Sequence, residues 1–230
     1  MATRLLALVA LLIVAIGPGT VGASSDAELS GAEGHPRGRF PLAVYVPPHE
    51  DPALEGAVTR AVRDWNTLFE AALGVRAFTP VTRPDDAAVV LKFETALTSG
   101  AMGATSVSTD TAGVITLPVR IVLADPAARG RTVRDVVLYQ VAAHELGHAL
   151  GLPHTRDPRS IMCCVEGSID FGDPSVREAY IAARRHPDLA SVRAEVLTHY
   201  RRFWRQRGEE SSERSCTTAC RGGLPPLDEL

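Results

Sequence analysis

Residues 142–155 read AAHELGHALGLPHT, and this stretch decides the architecture of the chain around it. On a helix, His144 and His148 lie four residues apart, one turn above the other, so both imidazoles face one point. Glu145 projects beside them. A catalytic zinc ion takes three protein ligands and leaves its fourth position to water, and His154 is the third candidate. A helix continued to position 154 would carry that histidine past the ion, so the chain must turn back. Gly151 permits the turn because it accepts positive φ without a Cβ clash, and Pro153 stiffens the approach. An HExxH pattern alone recurs by chance, but Gly151 and His154 at these offsets make coincidence rare. The spacing predicts a Zn2+ site of His144, His148 and His154, with Glu145 as general base.

Working outward, the segment from Thr132 to Leu150 is apolar nearly all round, which predicts a buried central helix capped by Thr132 and ended by Gly151. Upstream, apolar residues at helical spacing between Asp51 and Leu73 predict an amphipathic helix stopped by Gly74. Short runs at Phe40–Val46, Ala87–Phe93 and Val114–Leu123 predict strands. Downstream, Leu152–Asp173 is a loop, followed by helical patterns over Pro174–Arg185 and Leu189–Arg207. The class expected is α+β: a mixed twisted sheet with an active-site helix and C-terminal helices.

Arg4, the 12 apolar residues Leu5–Ile16 and the small residues before Ser24 read as a secretory signal peptide over 1–23. Such a run is too short for a membrane core, which needs about 20 residues, so no stable membrane association is expected after cleavage. Residues 24–39 are expected to be a disordered leader, 40–207 the catalytic domain, and 208–230 an irregular cysteine-containing tail. With 24 Lys and Arg against 27 Asp and Glu, and a net charge of −3, nothing draws the chain to nucleic acid. A monomer is expected. The four cysteines allow three pairings. Because adjacent cysteines bond with difficulty, Cys163 and Cys164 are expected to reach Cys216 or Cys220; the alternative is a local Cys216–Cys220 bridge with two free thiols.

The segment His144–His154 resembles the extended zinc motif of the metzincin metallopeptidases. Ser160-Ile161-Met162 looks like that family's Met-turn, with Met162 as an apolar floor beneath the ligands. Thr155 after the third histidine, and the eight-residue step to Met162, are most similar to the matrixin branch. The resemblance implies a secreted endopeptidase acting on protein or peptide substrates, using water activated by the metal and the Glu145 carboxylate, with substrate pairing along a sheet edge between Gly103 and Leu117. The chain departs from the family in placing Cys163-Cys164 where a tyrosine often follows the Met-turn. It also shows no evident ligands for a second, structural zinc: His35, His49, His186 and His199 are expected at the surface. A secreted binding module with a structural zinc, or a zinc amidase acting on cell-wall peptides, are the alternatives. Glu145 argues against the first, and a structural zinc normally has four protein ligands.

Overall fold

The computed structural model describes residues 29–126, 133–165 and 167–209. Five strands form one sheet: β1 (Leu42–Tyr45), β2 (Phe78–Pro80), β3 (Val89–Glu94), β4 (Gly103–Ser106) and β5 (Val119–Ala124), in the order β2-β1-β3-β5-β4. All neighbours are parallel except β4, which runs antiparallel to β5 at one edge, pairing Thr105 with Ile121. Four α-helices accompany the sheet: α1 (Pro52–Leu73), α2 (Arg134–Ala149), α3 (Pro174–Arg185) and α4 (Arg193–Gln206). Among the described residues no helix is long and apolar enough to cross a membrane.

Helix α1 starts where Asp51 accepts a hydrogen bond from Ala53 N at 3.0 Å and Pro52 fills the first helical position. It stops at Gly74, with φ 68°. Its apolar face, including Leu54, Val58, Ala61, Trp65 and Phe69, is fully buried. Trp65 reaches across to α2 and donates from Nε1 to Ala143 O at 2.9 Å, so the largest core side chain also fixes the depth of the metal-site helix. Asn66 locks α1 to β2 by donating to Phe78 O at 3.0 Å and accepting from Phe78 N at 2.7 Å.

The buried central helix expected around residue 144 is α2, but it begins at Arg134. Its N-cap, Val133, contributes no side-chain hydrogen bond, and Thr132 lies outside the described residues. Arg134 anchors this end instead, donating to Asp125 at 2.6 Å and Pro126 O at 2.9 Å and bridging to Asp51 at 3.4 Å. Strand β2 escaped the sequence reading, and β4 was expected only as a sheet edge somewhere between Gly103 and Leu117. β2 has three residues and ends in proline, and β4 is Gly-Ala-Thr-Ser, neither offering a β-branched alternation.

Residues 29–39 depart from the expected disordered leader. Gly34 bridges Val114, and its N donates to Gly113 O at 3.0 Å. His35 is fully buried, its Nε2 2.9 Å from Ala149 O, and Trp204 Nε1 donates to His35 O at 3.0 Å. His199 is also buried, so two of the four histidines expected at the surface are core residues; His49 is half-buried and His186 exposed. These histidines sit inside because aromatic partners cover them: Phe40 meets His35 edge-on at 5.9 Å, and Tyr200 meets His199 at 4.9 Å. The signal-peptide segment, residues 24–28 and the tail from 210 onward lie outside the described residues.

Candidate metal centre

Helix α2 ends in a Schellman turn. Leu152 N donates to Gly147 O at 3.0 Å and Gly151 N to His148 O at 2.9 Å, around Gly151 at φ 86°. The backbone then doubles back through Pro153 and returns His154 to the helix face. A side chain at 151 would be doubly excluded, since a Cβ there lies 2.5 Å from Glu33 O.

The three histidines converge through the same atom. Nε2 of His144 lies 3.0 Å from that of His148 and 3.1 Å from that of His154, and the third pair is 3.2 Å apart. Two nitrogens about 2.1 Å from one ion stand about 3.4 Å apart at the tetrahedral angle, close to these separations. The tautomers agree with a metal: Nδ1–H of His144 donates to Ile161 O at 2.8 Å and that of His148 to Leu152 O at 2.9 Å. Each of these rings therefore turns an unprotonated Nε2 lone pair inward. Convergent lone pairs repel unless a cation sits among them, so the donor set fits a resident zinc ion.

Burial enforces this state. Removal from water brings the His144 pKa down to about 3, with the neighbouring His148 adding to the effect, and burial lowers His148 to about 4 against its favourable bond to Leu152 O. Both rings are neutral at physiological pH and need shed no proton to bind metal.

Met162 is fully buried beneath the helix. A Cβ at Gly147 would lie 2.3 Å from Met162 Sδ and 3.2 Å from Trp65, so glycine at this position of the motif admits the methionine and the tryptophan against the backbone. The Met162 turn is held by Thr155 N donating to Met162 O at 3.0 Å and by Arg184, which reaches Ser160 O at 3.3 Å and Cys163 O at 3.4 Å. Cys163 and Cys164 bring their sulfurs together across a cis peptide, with Cα atoms 3.0 Å apart. Cys216 and Cys220 lie outside the described residues.

Glu145 is 3% exposed and faces the edge strand. Thr105, fully buried on β4, donates from Oγ1 to Glu145 Oε2 at 2.6 Å and also lies 3.1 Å from Glu145 O. A Cβ on Gly103 would fall 2.6 Å from Glu145 Oε1, so β4 approaches this closely only as glycine. Neither residue was a site candidate from sequence. The one signal nearby is the expectation of a sheet edge starting at Gly103.

A mixed sheet with a parallel majority and one antiparallel edge strand, laid beside a helix whose three histidines share one focus over a buried methionine, agrees with the metzincin-like architecture expected from the sequence. Residues 127–171 match the matrixin family model. A stretch of 41 residues is 61% identical to macrophage metalloelastase of Oryctolagus cuniculus, covering 18% of this chain and 9% of that protein's length. Over these residues the chain is similar to the matrixins, and it spans less than a tenth of the length of that relative.

Proposed function

We propose that the protein is a secreted zinc-dependent endopeptidase that hydrolyses internal peptide bonds of protein or peptide substrates. The observation that carries this reading is the meeting of three imidazole nitrogens within 3.2 Å with a buried carboxylate on the adjacent residue, Glu145. His144, His148 and His154 would hold the zinc. When bound, zinc supplies a Lewis acid that lowers the pKa of water to about 7 and polarises a carbonyl.

The chain's own groups do the rest. Glu145 takes the proton from the attacking water and delivers it to the leaving amine, a role worth typically about 10²–10⁴-fold. Strand β4 ends the sheet, so its outer edge offers backbone groups to an extended substrate by strand addition. Export rests on the signal-peptide pattern of residues 1–23, and the even set of four cysteines agrees with an oxidising compartment.

The experiment is Glu145→Gln, a near-isosteric change, assayed on fluorogenic peptides with metal content measured in parallel. Zinc should stay at one per chain while hydrolysis falls at least 10²-fold. A variant as active as the unaltered protein would remove Glu145 from the mechanism. An unaltered protein that cleaves no peptide but keeps its zinc would favour a binding module.

A further inference from the structure

Any group that positions Glu145 must come from outside the zinc motif, because a helix fixes Cα and Cβ but leaves three side-chain torsions to place the carboxylate. The structure supplies two constraints, both from β4. Oε2 receives the Thr105 hydroxyl at 2.6 Å, the short distance of an O–H bond to an ionised acceptor. Oε1 lies beside Gly103, where a methyl group would meet it at 2.6 Å. Thr105 is fully buried, and the pairing of Thr105 with Ile121 ties it to the body of the sheet through β5. The carboxylate is thus held between a donor and an open glycine two residues apart on one strand.

We propose that Thr105 is a positioning residue for catalysis: its hydroxyl holds the Glu145 carboxylate in register with the edge strand along which substrate lies. This rests on the endopeptidase reading above. The chemistry favours a single-purpose contact. The hydroxyl has one proton, and the charged Oε2 at 2.6 Å outcompetes Glu145 O at 3.1 Å, which already serves as a helix acceptor. Because the same strand would pair with the substrate backbone, any shift of β4 along its length moves base and substrate together. The base keeps its distance from the scissile bond even if the edge flexes, and the hydroxyl is the link that makes them move as one.

The role separates kinetically from a packing role. Thr105→Val keeps shape and burial but removes the donor to Glu145 Oε2. Hydrogen bonds to charged groups are worth enough that kcat should fall by about 10–100-fold, while KM, zinc content and melting temperature stay near those of the unaltered protein. Thr105→Ser, which restores the hydroxyl without the methyl, should recover most of the lost kcat. Should Thr105→Val fail to fold or to hold zinc, Thr105→Cys, whose thiol is a weak donor, is judged by the same criteria. A Thr105→Val protein with unchanged kcat, or one whose loss lies in KM alone, overturns the proposal, as does a Ser variant no better than Val. An unaltered protein with no peptidase activity overturns this inference and the functional reading together, whereas an active protein indifferent to Thr105→Val overturns this inference alone.

Discussion

The two walls of the metal centre are built in opposite ways. One wall, from His144 to Met162, is continuous: all three candidate ligands and the methionine beneath them fall within 19 consecutive residues, oriented by hydrogen bonds such as His148 Nδ1 to Leu152 O that close inside the same segment. The other is assembled from distant pieces. Thr105 meets Glu145 across 40 residues, and His35 meets Ala149 across 114. The continuous wall chooses which nitrogens converge; the assembled wall sets where the Glu145 carboxylate points and how firmly the helix end is seated. A site can thus carry its metal chemistry in a short cassette while its catalytic alignment depends on the whole sheet.

Breaking the continuous wall should have the largest effect. Replacing His144 and His154 together by Ala should abolish zinc binding and hydrolysis, with metal analysis showing less than one ion per several chains; zinc retained at full occupancy would dismantle the cassette idea. On the assembled wall, Gly103→Ala places a methyl group against Glu145 Oε1 at 2.6 Å. Zinc should remain, because no ligand is touched, but kcat should fall by roughly 10–100-fold, the scale on which a misplaced catalytic group is felt. If zinc is lost as well, the two walls are not separable.

Acid should act on the assembled wall at the helix seat. Burial lowers the pKa of His35 and of His199 to about 4 in the folded chain, whereas the unfolded chain takes up these protons near the ordinary histidine value of 6.5. The unfolded state therefore binds more protons between those values, stability falls as pH drops through that window, and the loss levels off below about 4. Each group contributes on the order of 3 kcal/mol. Denaturant melts of the unaltered protein and His35→Gln at pH 7 and pH 4.5 should show a visibly smaller pH effect in the variant; equal effects would place the sensitivity elsewhere.

Smaller again is Gly147→Ala, which intrudes on Met162 and Trp65 and should cost about 1–3 kcal/mol by overpacking, read as a lowered denaturant midpoint with zinc still bound. The least perturbing test is chemical: non-reduced peptide mapping should find Cys163 joined to Cys164, and a bridge from either to Cys216 or Cys220 would tie the continuous wall to the tail instead.

The division between walls is also the division between what sequence discloses and what it hides. Helix α1 was readable because Leu54, Val58, Ala61, Trp65 and Phe69 repeat at the helical period. The convergence of His144, His148 and His154 was readable because its spacing is itself the geometry, given one turn at Gly151. Strand β4 was readable only as a sheet edge somewhere between Gly103 and Leu117, since Gly-Ala-Thr-Ser has the composition of a loop and becomes a strand only by pairing with β5. Thr105 had no mark of function, because its partner lies 40 residues on. Residues 29–39 read as a leader because their glycines and polar groups carry no periodicity; what orders them is a set of partners, Ala149 O, Gly113 and Trp204, that no local pattern announces.

That N-terminal segment sets a stop for proteolytic trimming. Cuts that remove only what precedes residue 29 leave every contact described above in place. A cut a few residues further strips Glu33 from its place over Gly151, and one beyond His35 takes away the donor to the last carbonyl of the metal-site helix. Trimming that overshoots this segment leaves molecules whose metal-site helix has lost its seat.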